Sequence, residues 1–270
     1  MESKNIIVTG GSGFIGTNII EFYKKRFNII NIDISKPRNS SHKAHWKEID
    51  ILNFSALSDF MNSFKPDYII HLAAKTDLDG KTIDSYRVNY DGVSNIIKIL
   101  KNIKTVKRVI FTSSMLVCKR GYIPQSQTDY SPDTLYGKSK VMGEEIIDKE
   151  KNLHFESLII RPTSIWGPWF EAPYLQFFLL IKKNRFFTFN DKMSNKTFGF
   201  INDTVSQIDF LLLKYKLNKQ NEMFYLGDRN SINIGKWSHQ IAAAFNKNTP
   251  ISIPYFIAKL LSYFGDFLGC

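Results

Sequence analysis

Between Asn5 and Ile160 short, almost continuous apolar runs alternate with stretches of helical spacing, and few folds accept that rhythm. Asn5–Thr9, Phe27–Ile32, Trp46–Ile49, Tyr68–Leu72, Val106–Thr112 and Phe155–Ile160 read as strands. Phe14–Lys25, Phe54–Phe64, Ser85–Asn102 and Leu135–Lys149 read as helices, with apolar residues three and four apart. Strands that are apolar throughout need cover on both faces, and helices between them supply it, so the pattern predicts an α/β fold with a doubly wound parallel sheet. After Arg161 the rhythm breaks at Pro162, Gly167, Pro168 and Pro173. Tyr174–Lys183, Asp203–Tyr215 and Ile234–Phe245 then read as helices, with Phe186–Asn195 a loop holding strand pieces. The expected organisation is a first domain over 1–161 and a smaller, partly interleaved C-terminal lobe over 162–270, binding the substrate.

The first strand runs into TGGSGFIG, Thr9–Gly16, which opens the first helix. Gly11, Gly13 and Gly16 fit G-x-G-x-x-G, and Gly10, Gly13 and Gly16 fit the wider spacing. Glycines there allow a tight turn, close approach of backbone to a pyrophosphate, and close packing of helix on strand, while the helix N-terminus favours an anion. Asp33 ends the second strand, twenty residues after Gly13. A carboxylate at that place accepts hydrogen bonds from ribose hydroxyls and repels a 2′-phosphate, which makes this a Rossmann sheet for NAD, with NADP disfavoured. Lys36 and Arg38 follow closely and soften that preference.

Composition narrows the class further. The 270 residues are 43% hydrophobic and 23% charged, in the range of a globular chain large enough for one big domain and a lobe. No signal peptide, no apolar run long enough to span a membrane and no cysteine framework is read, since Cys118 and Cys270 have neither disulfide nor metal-ligand spacing. A cytoplasmic, reducing compartment is expected. The net charge of +11 attracts anions, but the lysines are scattered and no nucleic-acid-binding signature accompanies them, so nucleic acid is set aside as a partner.

In DTLYGKSKVMGE, Tyr136 stands four residues before Lys140 near a helix start. One turn apart, the two side chains leave the same face. A phenol titrates near 10, and a neighbouring ammonium favours the phenolate, so the pair is a candidate proton donor and acceptor.

Further segments complete an ordered set: Asp50-Ile51, HLAA at His71–Ala74, Asn89, FTSS at Phe111–Ser114, YGKSK, RPTSIWGP at Arg161–Pro168, KTFGFIND at Lys196–Asp203 and FYLGD at Phe224–Asp228. With them the sequence resembles the extended short-chain dehydrogenase/reductase family, the NAD-dependent epimerase/dehydratase group that modifies nucleotide-sugars. The resemblance implies that Gly10, Gly11, Gly13, Phe14, Ile15 and Gly16 form the cofactor turn. It implies that Asp50 and Ile51 contact the adenine. Leu72, Ala73 and Ala74 would pass beneath the cofactor, Asn89 would be among the residues that bind it, and Lys140 would hold the nicotinamide ribose. Ser114, Tyr136 and Lys140 would be catalytic. Tyr136 would exchange a proton with a sugar oxygen while hydride moves to or from the nicotinamide, and Ser114 would orient that oxygen, Ser113 pointing to the other face. Ser164 and Lys196 would touch the substrate, with Lys182, Lys183, Arg185 and Lys192 near a diphosphate or on a solvated face. No metal is implied. Relatives often dimerise through the helices that here hold Ser85–Asn102 and Leu135–Lys149, so a homodimer is an implied partner.

Departures from the family pattern narrow the chemistry. Met115 and Leu116 follow Ser114 where the dehydratases of the family carry an Asp-Glu pair, which argues against elimination of water. Cys118 and Lys119 replace a Tyr-Gly, Ser164 an asparagine and Lys196 an arginine. Trp166, Trp169 and Phe170 give either an aromatic mouth or core between lobes. Ile251–Cys270 resembles the family's amphipathic helix, after which relatives continue, so the chain reads as C-terminally short. The leading expectation is an NAD-dependent nucleotide-sugar epimerase or keto-sugar reductase, placed in polysaccharide biosynthesis by family analogy. The alternatives are an NAD(P)-dependent dehydrogenase of a non-nucleotide hydroxyl and a cofactor-binding scaffold without catalysis.

Overall fold

The computed structural model describes residues 4–171, 174–189 and 195–254. Strand β1 (Asn5–Thr9) leads through the glycines into helix α1 (Phe14–Tyr23), then β2 (Asn28–Asp33) and β3 (Trp46–Glu48). Helix α2 (Phe54–Phe64), β4 (Tyr68–His71), α3 (Asp91–Leu100), β5 (Arg108–Thr112), α4 (Leu135–Lys149) and β6 (Glu156–Pro162) continue the alternation. Then come β7 (Ser164–Trp166), α5 (Tyr174–Lys182), β8 (Phe187–Thr188), β9 (Asn195–Lys196) and β10 (Phe198–Phe200). Helix α6 (Ile201–Leu213), β11 (Glu222–Leu226), β12 (Ile232–Asn233), α7 (Ile234–Ala244) and β13 (Ile251–Ser252) close the described chain.

Seven strands form the central sheet in the order β11-β6-β5-β4-β1-β2-β3, and every pairing in it is parallel. This is the doubly wound Rossmann sheet that the alternation predicts. The order reverses between β1 and β4, so the ends of these two strands flank the switch point where ligands bind in such sheets, with β5 next to β4. Alternate residues of one strand feed two separate cores. Ile6 and Val8 pack with Ile19, Ile110, Ile160 and Ile208 on one face, and Ile7 packs with Ile69, Ile97, Val109 and Ile159 on the other.

The predicted helix over Ser85–Asn102 is two pieces. A 3₁₀ helix covers Ile83–Asn89, Tyr90 leaves helical geometry at φ −124°, and α3 begins at Asp91. Asn89 explains the break, because its side chain bonds to the backbone of Lys75 instead of continuing the helical face.

Contacts divide the chain into two compact units, Met1–Trp169 with Gly199–Gly227, and Phe170–Phe198 with the chain from Asp228 on. The first unit recruits α6 and β11 after the chain has already left it. In the second, Trp237 of α7 packs within 4.5 Å of Phe198 and 5.4 Å of Phe177, and β13 pairs with β8. Ile251 and Ser252 are therefore strand, where a helix was expected from Ile251. The rest of that expected helix from residue 255, Cys270, Pro173 and Lys192 lie outside the described residues. No helix among the described residues is long and apolar enough to cross a membrane.

Candidate active site

Gly10 sits at φ +72°, and a Cβ there would lie 2.6 Å from the Ala73 nitrogen. The HLAA segment therefore closes on the glycine turn, with Leu72 N donating to Thr9 O and Ala73 N to Thr9 Oγ1. A Cβ on Gly16 would come 2.5 Å from the Gly10 oxygen, so this glycine allows α1 to start against the turn. Gly13 differs. A Cβ there would meet only the Gly10 oxygen, at 3.2 Å, which leaves the space before the helix open. Gly13 caps α1 without a side-chain hydrogen bond, and no acidic residue stands in the first turn. An uncapped helix start above an open glycine is what a pyrophosphate needs.

Asp33 is fixed beside this turn. Its Oδ2 accepts Ser12 N at 3.0 Å and its Oδ1 accepts Ser35 N at 2.9 Å. Each carboxylate oxygen retains a second lone pair for a ribose hydroxyl. The residues present thus fit the dinucleotide. Asp50 is exposed and caps a local turn through Leu52 N, while the Ile51 side chain is buried against Gly92 and only its backbone reaches Asn95. Phe14 and Ile15 are half-buried and pack on the core below α1.

At the end of β5 three side chains converge. Ser114, Tyr136 and Lys140 are 8%, 8% and 6% exposed. Burial pushes the Tyr136 phenol up to about 12, while a hydrogen bond with Ser114 pulls the other way. The Ser114 Oγ accepts Leu116 N at 3.1 Å, whereas the Ser113 hydroxyl is buried without a hydrogen-bond partner among the described residues. Lys140 Nζ donates to Thr112 O at 2.9 Å and stands 6.0 Å from the Tyr136 ring. Burial pulls this ammonium down to about 8, opposed by the Glu144 carboxylate. The sequence led to the expectation that Lys140 lowers Tyr136. In the protein alone burial outweighs any such effect, because Nζ is turned to the Thr112 carbonyl.

Around these three side chains lies a supporting layer whose pairings the motifs did not show. Asn89 holds Lys75 on both backbone groups and donates to Ser139 Oγ at 2.8 Å, and Ser139 donates to Tyr136 O at 2.7 Å. Tyr86, fully buried, lies 6.3 Å from the Tyr136 ring and ties Asp77 and Gly80 through its hydroxyl. His71 bonds Thr9 Oγ1 at 2.7 Å; burial and then the Lys140 charge lower it to about 3, so it stays neutral. Gly137 admits the approach of α4, since a Cβ would lie 2.2 Å from the Leu116 oxygen. Cys118 is buried, with its Sγ 3.5 Å from the Asp129 oxygen.

Ser164 opens β7, half-buried. Trp166 packs on Phe200, and Phe170 stacks on Tyr174. Lys196 lies in the second unit, where its Nζ bonds the Tyr174 hydroxyl and covers the Tyr174 and Phe198 rings. Lys182 covers the Phe245 ring. Among the described residues no cluster of three or more His, Cys, Asp or Glu can hold a metal.

Comparison with known proteins agrees with this geometry. The chain is 28% identical to the N-acetyl-alpha-D-glucosaminyl-diphospho-ditrans,octacis-undecaprenol 4-epimerase of Escherichia coli O157:H7, over 98% of this chain and 80% of the relative. It is 27% identical to the UDP-glucose 4-epimerase of Vibrio cholerae, over 98% of this chain and 83% of the relative. Its fold matches the Bordetella bronchiseptica enzyme WbmG, solved in complex with NAD, at a TM-score of 0.77, 21% identity, 94% of this chain and 82% of that one. The model of the NAD dependent epimerase/dehydratase family matches residues 6–227. The chain therefore belongs to the NAD-dependent epimerase/dehydratase family, enzymes of the extended short-chain dehydrogenase/reductase type whose cofactor is NAD.

Proposed function

We propose that this chain is an epimerase of a diphosphate-activated sugar, inverting a carbinol centre by removing and returning a hydride. The observation that carries the reading is the buried convergence of Ser114, Tyr136 and Lys140 at the end of β5. NAD bound at the glycine turn would supply the acceptor and the donor of the hydride. Gly13 and the start of α1 hold its pyrophosphate, and Asp33 holds its adenosine ribose. Tyr136 takes the proton from the sugar hydroxyl as the carbon–hydrogen bond breaks, and gives it back after the ketone has turned its other face. Ser114 donates to the same oxygen and keeps it in line with the phenol. Lys140, carrying its proton below about pH 8, favours the phenolate during that exchange.

The choice of epimerase rests on the 4-epimerases to which the chain is similar, and the choice of an anionic diphosphate substrate on the net charge of +11. Ser164 and Lys196 are the proposed substrate contacts. The reading excludes dehydratase chemistry, because Met115 and Leu116 cannot transfer protons.

The test is to incubate the purified chain with UDP-glucose and UDP-N-acetylglucosamine and follow inversion at the sugar by proton NMR. Tyr136→Phe is expected to lower turnover about 10²- to 10⁴-fold, the usual contribution of a positioned acid–base group, with NAD still bound. Unchanged turnover in that variant would remove Tyr136 from the mechanism. Oxidation of sugar with net release of NADH would favour a dehydrogenase over an epimerase.

A further inference from the structure

The turn that leaves β7, Gly167–Trp169, is tied to the glycine turn by two side chains. Asn18, in the second turn of α1, donates its amide to Pro168 O at 3.0 Å and to Phe14 O at 2.9 Å. Arg38, five residues beyond Asp33, donates Nη1 to Trp169 O at 3.1 Å and Nε to Ser12 O at 3.2 Å. One planar guanidinium thus joins the two turns, which lie 131 residues apart in sequence at this bond.

Each end of this link is well defined. Ser12 is 4% exposed; its nitrogen donates to Asp33, its hydroxyl donates to Ser35 O and accepts from Asn31, and its oxygen accepts from Arg38. At the other end Gly167 has φ +143° and Trp169 has φ +71°. A side chain at 167 would meet Ile201 at 2.4 Å, and a tryptophan in the left-handed region is held there only when its surroundings over-determine it. The indole of Trp169 is 43% exposed, so burial of the ring does little to hold it. The hydrogen bonds from Arg38 and Asn18 do more.

The anchor points have a meaning for the cradle. Ser12 precedes Gly13, and Phe14 and Asn18 follow it. Gly13 is the one glycine of the turn whose added Cβ would meet a single atom, so the two ties hold the chain on either side of the open glycine.

We propose that Arg38 is a latch: by tying the Gly167–Trp169 turn to Ser12 it closes the cradle over the pyrophosphate of bound NAD and slows release of the cofactor. Arg38 is a positioning residue here, acting through two carbonyl groups. The inference rests on the reading that the glycine turn and Asp33 hold NAD. It also deepens that reading, since an epimerase ends each cycle with the cofactor in its starting state and gains from retaining it. The sequence placed Arg38 among the residues that soften the bias against NADP. The structure commits its guanidinium to two backbone carbonyls instead.

The experiment loads the full chain with radiolabelled NAD, adds a large excess of unlabelled NAD and follows loss of label. Arg38→Ala is expected to release NAD about tenfold faster, and Asn18→Ala a few-fold faster. Arg38→Lys should fall between Arg38→Ala and the unaltered chain, because an ammonium cannot reproduce the two-pronged contact. Thermal unfolding of the cofactor-free proteins, expected to agree within a few degrees, separates a latch from a general loss of structure. Equal release rates for the unaltered chain and Arg38→Ala, with NAD bound by both, would overturn the latch alone. If the unaltered chain binds no NAD at equilibrium, the cofactor reading and the latch fall together.

Discussion

Lys140 and Glu144 stand one turn apart on α4, 6% and 3% exposed, and the fold treats the two buried charges in opposite ways. Glu144 is fully partnered. Its oxygens accept Arg161 Nε at 2.8 Å and Nη2 at 2.5 Å, and Tyr130 donates to it at 3.0 Å. Arg161 spends its remaining donors on the Tyr225 hydroxyl and Gln127 O, with the Tyr130 and Tyr225 rings against the guanidinium. Burial lowers Arg161, yet the bonds and charge of Glu144 leave it above its usual value, so the pair stays charged. Among the described residues Lys140 has one carbonyl partner and no carboxylate in contact, and burial brings it down to about 8. A closed network holds structure. A buried charge with a sparse set of partners is ready to act on a ligand.

That contrast predicts a double dissociation, which is the largest effect expected. Glu144→Gln leaves the Arg161 guanidinium buried without its counter-ion, so stability should fall by about 3–5 kcal/mol in urea unfolding. Lys140→Met removes a buried charge that has no ion partner among the described residues, so stability should hold or rise, while turnover should fall at least 10²-fold. If Lys140→Met unfolds as readily as Glu144→Gln, the two charges serve the same structural purpose and the comparison breaks.

The adjacent serines sharpen the same distinction by a smaller amount. Ser114→Ala removes the hydroxyl proposed to hold the sugar oxygen, on which charge develops, and is expected to cost about 10- to 100-fold in turnover, the worth of one hydrogen bond to a charged group. Ser113→Ala removes a buried hydroxyl with no partner among the described residues, and its unfolding midpoint should match or exceed that of the unaltered chain. Steady-state rates and urea midpoints for both variants decide it. Gly137→Ala should act on stability instead, by a similar amount. Its Cβ would press on the Leu116 oxygen, and overpacking of this kind costs about 1–3 kcal/mol in unfolding measurements.

What could be read in advance follows the range of the interaction. The β1–glycine–α1 unit, Asp33 and the Tyr136–Lys140 turn are local patterns, where periodicity and spacing decide the outcome. Arg161 with Glu144, Asn89 with Ser139, and Arg38 with Trp169 join segments 17, 50 and 131 residues apart, and no local pattern encodes such pairings. The break at Tyr90 escaped for a related reason, since the helical spacing of Ser85–Asn102 is intact and only the bonds of Asn89 to Lys75 interrupt it. The return of α6 and β11 to the first unit was also illegible, because a helix or strand pattern does not say which core it will join.

The most gradual effect is in the pH dependence of stability. Folded Lys140 titrates near 8, below its ordinary value of 10.5, so the folded chain releases this proton earlier than the unfolded chain does. Between those values the unfolded state binds more protons, and stability rises with pH by at most about 1.4 kcal/mol per unit for one proton. Above about pH 10 the sign reverses. Tyr23, Tyr130 and Tyr136 are raised mainly by burial, so the folded state keeps protons that the unfolded state has lost. Urea unfolding at intervals from pH 7.5 to 11 should show the rise in the unaltered chain and its absence in Lys140→Met, with the fall above pH 10 kept in both. A rise that survives Lys140→Met would belong to another group, and Lys140 would then be as fully compensated in the fold as Glu144.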